Sequence, residues 1–274
     1  MTLRALLAFS TCLILAACGG NSGFPPQINA VKVVSLQYGQ TATLLVGGRD
    51  LRFSVQVDSG GACTNPSYGS NSTTEVLELQ CRVSATGDMT LTFKAANGDL
   101  LYQTQLNVPT PQVSLLTNQG SLTLELNPVA APISVNNFLQ YVNQGFYKDT
   151  LFHRVINGFV VQGGGYTTGM TKKTGQSPPI VLESNKGLSN LTGTLAMART
   201  SEPNSGTSEF FINLVDNTSL DYQNASQPGY AVFGAVVQGM DVVNTIAQQA
   251  TQPVPGHADV PVQDIVILSA RQIR

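Results

Sequence analysis

The chain reads as a mainly β protein, a small antiparallel β-sandwich followed by a closed barrel with helices over its ends. Three observations predict this. Period-two alternation of apolar and polar residues recurs from roughly residue 28 to 108, as in Thr41–Val46 and Val76–Cys81. Glycine and asparagine turn signals punctuate it at short intervals, and only two stretches show helical periodicity. At 274 residues the chain exceeds a typical single domain, and its 42% apolar content suffices for more than one core. Charged residues make up only 11%, the net charge is −2 and no basic run occurs, so a nucleic-acid partner has no electrostatic footprint.

The elements follow in order. Residues 1–17 have the form of a signal peptide, with Arg4 in a short positive start and an apolar run from Leu6 to Leu15. That run is too short to span a bilayer. It ends in Leu15-Ala16-Ala17-Cys18-Gly19, which resembles the bacterial lipobox. The resemblance implies that Cys18 is diacylated and becomes the first mature residue. It places the protein in the bacterial envelope, facing the periplasm, and Gly19 after the cysteine favours the outer membrane. Residues 18–27 read as a lipidated flexible tether ending near Pro25-Pro26.

Residues 28–108 are expected to form the sandwich, immunoglobulin-like, with strands at Thr41–Val46, Phe53–Val57, Val76–Cys81, Met89–Ala95 and Leu100–Val108. Gly47-Gly48, Ser59-Gly60-Gly61 and Asn97-Gly98-Asp99 are its turn signals, and Asn65–Asn71 reads as a polar loop. Cys63 and Cys81, paired in one exported domain, are read as a disulfide, with two buried free thiols as the alternative. No metal site is expected, since the pair lacks neighbouring histidines.

The pattern changes after Val108-Pro109-Thr110-Pro111, and residues 112–274 are taken as a second domain. Val113–Thr117 and Leu122–Leu126 form a hairpin about Asn118-Gln119-Gly120. Pro132 and Ser134 then open a helix bearing Val135, Phe138, Leu139 and Val142 on one face, ended by Gly145. A second helix is expected near Gly239–Gln248, and a closing strand at Asp264–Ala270.

Two segments carry chemistry: Phe152-His153-Arg154-Val155-Ile156-Asn157-Gly158-Phe159-Val160-Val161-Gln162-Gly163-Gly164, and Gly193 to Arg199 with Ser208-Glu209-Phe210-Phe211-Ile212-Asn213. Together, over about residues 112–271, they closely resemble cyclophilins, especially the bacterial kind. The resemblance implies an eight-stranded barrel capped by two α-helices, peptidyl-prolyl cis/trans isomerase activity on proline-containing polypeptides, and no cofactor. It implies that Arg154 and Gln162 are catalytic, Gln162 positioning the arginine and contacting the substrate backbone. Phe159, Val160, Phe211, Leu220 and Tyr230 would form the proline pocket, with Ala198, Arg199 and Glu209 lining the groove. His153 would be structural.

The reaction itself asks for this kind of site. The X–Pro amide faces a rotational barrier of roughly 20 kcal/mol from resonance. No bond is made or broken, so neither nucleophile nor general acid is needed. As the amide twists, its nitrogen lone pair localises and becomes a better acceptor, and a fixed cationic donor aimed there is stronger in the transition state. Arg154, always charged and planar, suits that task.

Two residues depart from the cyclophilin pattern: Glu209 where glutamine is usual, and Ser219 where a large aromatic is usual. Glu209 is expected beside Arg154, competing for its donors, so that Glu209→Gln would speed the reaction. The leading function is an isomerase assisting the folding of exported proteins. The alternatives are a weakly catalytic proline-peptide binding module and a structural lipoprotein with a vestigial barrel.

Overall fold

The computed structural model describes residues 25–51 and 55–274. The signal peptide, Cys18, the tether to residue 24, and the Phe53-Ser54 start of one expected strand lie outside the described residues.

The N-terminal region is built from β1 (Gln27–Ser35), β2 (Thr41–Arg49), β3 (Gln56–Asp58), β4 (Cys63–Tyr68), β5 (Val76–Val83), β6 (Gly87–Lys94) and β7 (Leu100–Val108). Two antiparallel sheets result, ordered β1-β2-β5-β4 and β3-β6-β7. That is the A-B-E-D and C-F-G order of a constant-type immunoglobulin sandwich. Period-two burial is the reason these segments pair as they do. Ala42, Leu44 and Val46 of β2, Leu77, Leu79, Cys81 and Val83 of β5, and Met89, Leu91 and Phe93 of β6 are buried, while the residues between them reach solvent.

Cys63 and Cys81 form a disulfide with Cα atoms 5.4 Å apart. It ties β4 to its neighbour β5 within one sheet, whereas the immunoglobulin bridge joins the two sheets. With the cysteines 18 residues apart, the chain-entropy account gives the cross-link about 3 kcal/mol.

Two local readings are corrected. Asn65–Asn71 is not wholly loop, because β4 continues to Tyr68. It is an edge strand, which accepts Pro66, and it carries a bulge between Thr64 and Ser67 with Asn65 at φ +52°. Its exposed polar residues leave no alternation to detect. Gly47-Gly48 is not a turn but lies inside β2. A Cβ on Gly48 would stand 2.0 Å from the Gln27 carbonyl oxygen, so this glycine admits β1 at a register shift.

The segment 109–111 leads into β8 (Gln112–Thr117) and β9 (Gly120–Leu126), a hairpin turning at Asn118-Gln119. There follow α1 (Pro132–Asn143), β10 (Thr150–Leu151), β11 (Arg154–Ile156), β12 (Val160–Gly163), β13 (Tyr166–Thr167), β14 (Thr171–Lys172), β15 (Thr194–Met197) and β16 (Phe210–Asn213). After a 3-10 turn at Thr218–Leu220 come β17 (Val232–Gln238), α2 (Met240–Ala247), β18 (Thr251–Val254), β19 (His257–Pro261) and β20 (Val266–Gln272). The last strand begins two residues later than expected.

Nine of these strands form one antiparallel sheet, ordered β10-β20-β8-β9-β17-β15-β16-β12-β11. Its two ends, β10 and β11, are halves of one chain segment broken only at Phe152-His153. Counted as one bent strand, that segment closes the sheet on itself and brings the number to eight. Helix α1 packs on β17 and β20, and α2 on β9, β11 and β12. At the centre Phe138 meets Tyr147, Phe210 and Phe233 with ring centroids 5.1, 5.3 and 5.3 Å apart.

The two regions touch. Gln40 Nε2 donates to Gln272 Oε1 at 3.1 Å, Gln272 Nε2 donates to the Tyr38 carbonyl at 3.0 Å, and the Tyr38 hydroxyl hydrogen-bonds Asn136 of α1.

Candidate active site

Sheet register builds the site. Arg154 pairs with Gln162, Gln162 with Phe211, Phe211 with Ala196 and Ala196 with Val232, giving one row across β11, β12, β16, β15 and β17. Since side chains alternate, the adjacent row Val155–Val161–Ile212–Leu195 points the other way, into the barrel, and is buried. The first row therefore lies on the outer face. There Val160, Ala196, Phe211 and Val232 form an apolar cluster separate from the main core, joined by Phe159, Leu188, Ala198, Leu220 and Tyr230.

Over this cluster lies a groove of about 320 Å³ lined by Arg154, Phe159, Val160, Gln162, Ala198, Arg199, Phe211, Leu220 and Tyr230. Nine of the ten groove residues named from the sequence thus meet in one cavity. The larger 600 Å³ groove, lined by Thr86, Val129, Leu191 and Val237 among others, contains none of them. Phe211 and Tyr230 meet edge to face, centroids 5.5 Å apart, and give the cavity an apolar wall. A run of buried amides fixes its floor. Asn217 Nδ2 donates to the Phe159 carbonyl at 2.9 Å and to Asn213 Oδ1 at 2.8 Å, and Asn213 Nδ2 donates to Asn190 Oδ1 at 3.2 Å. Ser219 is exposed on the 3-10 turn and does not line the cavity.

The two arginines of the groove differ in what occupies them. Arg199 Nε donates to the Gly229 carbonyl at 2.9 Å, Nη1 donates to the Thr200 carbonyl at 2.8 Å, and its guanidinium lies 4.6 Å from the Tyr230 ring centroid. It braces the wall. Arg154 makes one hydrogen bond among the described residues, Nη1 to Gln162 Oε1 at 3.3 Å. Its Nε stands 3.9 Å from Asp259 Oδ2. Most of its five donors are therefore uncommitted, at the rim of the cavity and across from its apolar wall.

Glu209 is the exception among the ten. It does not line the cavity but sits beside Gln162, where Oε2 accepts from Gln162 Nε2 at 2.9 Å and stands 3.3 Å from His153 Nε2. No ion pair joins it to Arg154 among the described residues, so the expected competition for the guanidinium does not occur. Glu209, two residues before Phe211, shares its face of the sheet, but its side chain turns toward the β12–β13 connection. Gly165 leaves space for it there, since a Cβ on that residue would lie 2.5 Å from Glu209 Cδ. Burial opposes the charged carboxyl. The His153 hydrogen bond and charge, the Gln162 hydrogen bond and the Lys172 charge outweigh burial, and the net effect holds Glu209 below the usual carboxylate range.

Sequence reasoning did not single out Asp259, Tyr166 or His257. His153 is buried, with its ring 4.6 Å from that of Tyr166, which in turn stands 4.9 Å from His257. Asp259 and His257 arrive on the β18–β19 hairpin, which packs on β11. No local pattern signals that approach, more than a hundred residues along the chain from Arg154.

Comparison with known proteins gives the class. The profile of the family described as cyclophilin type peptidyl-prolyl cis-trans isomerase/CLD matches residues 112–272. The chain belongs to that enzyme family. It is 51% identical over 162 residues to a peptidyl-prolyl cis-trans isomerase A of Dickeya dadantii, covering 59% of this chain and 84% of that protein. It is 49% identical over 159 residues to a peptidyl-prolyl cis-trans isomerase B of Escherichia coli, covering 57% and 96%. Among solved structures, a Cryptosporidium parvum cyclophilin type peptidyl-prolyl cis-trans isomerase is similar with TM-score 0.51 and 26% identity, over 61% of this chain and 99% of that one. A second structure of that enzyme, determined with the dipeptide Ala-Pro, has the same TM-score at 28% identity, over 60% and 99%.

Proposed function

We propose that the barrel catalyses cis/trans isomerisation of X–Pro bonds in exported polypeptides, at the envelope surface to which a lipid on Cys18 tethers the chain. The observation that carries the chemistry is the Arg154 guanidinium, most of its donors uncommitted, in one cavity with the apolar wall of Phe159, Val160, Phe211, Leu220 and Tyr230. The proline ring enters the pocket of Phe159, Val160, Phe211, Leu220 and Tyr230, removed from water. Ala198, Arg199 and Gln162 hold the flanking backbone. Twisting then localises the lone pair on the prolyl nitrogen, and Arg154 donates to it. That donor gains strength only as the amide loses resonance, so it lowers the barrier rather than merely tightening binding.

Isomerisation of a short Ala-Pro peptide, followed by exchange NMR, is the decisive measurement. Interconversion faster than the uncatalysed tens of seconds is expected. Saturable binding with no acceleration would replace this reading with that of a binding module.

The anchor rests on the Leu15-Ala16-Ala17-Cys18 motif. Mature protein is expected to partition into detergent, and Cys18→Ala to remain uncleaved or become soluble. Wild-type protein free in the aqueous periplasmic fraction would remove the anchor while leaving the isomerase intact.

A further inference from the structure

Gln162 stands between two groups of opposite character. Its Oε1 accepts from Arg154 Nη1 at 3.3 Å, and its Nε2 donates to Glu209 Oε2 at 2.9 Å. A side-chain amide has two orientations that exchange its carbonyl and its NH2, and the hydrogen-bond network decides between them. In the observed orientation both contacts are complementary. In the other, the NH2 would face the guanidinium and the carbonyl would face the carboxylate, two repulsive contacts at once. An ionised carboxylate only accepts, so it admits one orientation of Gln162. A glutamine at position 209 could present either end of its own amide, which would leave Arg154 alone to favour one orientation of Gln162.

We propose that Glu209 is a positioning residue for isomerisation: it locks the Gln162 amide with its carbonyl toward Arg154, and so holds the guanidinium at the groove. The carboxylate is itself fixed. His153 Nε2 stands 3.3 Å away, Gly165 leaves the space it occupies, and Lys172 adds a neighbouring positive charge. The His153 ring is in turn packed against Tyr166 and His257. Glu209 does not line the cavity, and its link to Arg154 runs through Gln162. The inference rests on the isomerase reading and gives the unusual residue of this chain a function within it.

The test is a double-mutant cycle on an Ala-Pro peptide with wild type, Glu209→Gln, Gln162→Ala and the double variant. Glu209→Gln is expected to lower kcat/KM about five-fold, mainly in kcat, with the unfolding midpoint unchanged. In the Gln162→Ala background the same substitution should add nothing, because the residue it acts through is gone. An equal loss in both backgrounds, or activity at or above wild type in Glu209→Gln, would overturn the proposal. The Gln162 side-chain amide signals in nitrogen-15 NMR report the orientation whether or not the peptide turns over. One hydrogen-bonded pair is expected in the wild type, and shifted or averaged signals in Glu209→Gln. Identical signals in both would sink the proposal independently, whereas an inactive wild type with the expected signals would sink only the isomerase reading.

Discussion

Arg154→Ala is expected to lower kcat/KM on Ala-Pro peptides by about 10²–10³, the range for losing one pre-aimed donor from a site that stabilises developing charge density. The fold should be indifferent. The Arg154 side chain is 39% exposed, and its ion pair with Asp259 spans 3.9 Å between two partly exposed groups, an arrangement worth about 0–1 kcal/mol. Arg154→Lys should recover little of the loss. A lysine ammonium is a compact point charge and cannot both engage Gln162 Oε1 and present a second, fixed donor to the prolyl nitrogen. Peptide kinetics alongside thermal unfolding make the measurement. Near-wild-type kcat/KM in Arg154→Ala would mean that another group stabilises the twisted amide.

Glu183→Ala should instead be a stability variant. Helix α1 begins at Pro132 with Ala131 at its N-cap, which offers no side-chain oxygen to the first-turn N–H groups. Glu183, 5% exposed, supplies the cap from a distant loop. Its Oε1 accepts from the Ile133 N–H at 3.0 Å, and its Oε2 accepts from the Ser134 N–H at 2.7 Å and the Ser134 hydroxyl at 2.8 Å. The carboxylate also faces the positive end of the helix dipole. Its removal leaves buried donors unpaired, each costing about 1–3 kcal/mol. A loss of about 3 kcal/mol, roughly 6–12 °C in unfolding midpoint for a region of this size, is expected. Glu183→Gln, which still accepts through one oxygen, should lose about half as much. An unchanged midpoint in Glu183→Ala would show that water replaces the carboxylate at no cost. Peptide kinetics at a temperature where the variant remains folded should stay near wild type, since Glu183 is not part of the groove.

Legibility followed the range of the interactions. Strands β2, β5 and β6 and helix α1 were readable because burial on one face writes a period into contiguous residues. Strands β1 and β4 were not, since they lie on sheet edges with most side chains in solvent and carry no such period. The nine residues that line the groove came from their resemblance to cyclophilins. No periodicity would have shown that Arg154 and Tyr230, far apart in the chain, face one cavity. Glu209 marks the limit. Its identity was visible as a departure from the cyclophilin pattern, yet its expected partner was wrong, because partner choice is a matter of ångströms.

What the sequence determined by itself was the β-rich class, the alternating faces and, by resemblance, membership of the cyclophilin family. Each is set by residues near one another or by a resemblance running along the chain. The tertiary structure alone decided that Glu183 caps α1, that the β18–β19 hairpin brings Asp259 to Arg154, and that Glu209 faces Gln162 and His153. Polar partners like these are chosen by hydrogen-bond geometry that fails within about an ångström. Only barrel closure, which fixes where residues distant in sequence come to rest, supplies positions to that accuracy.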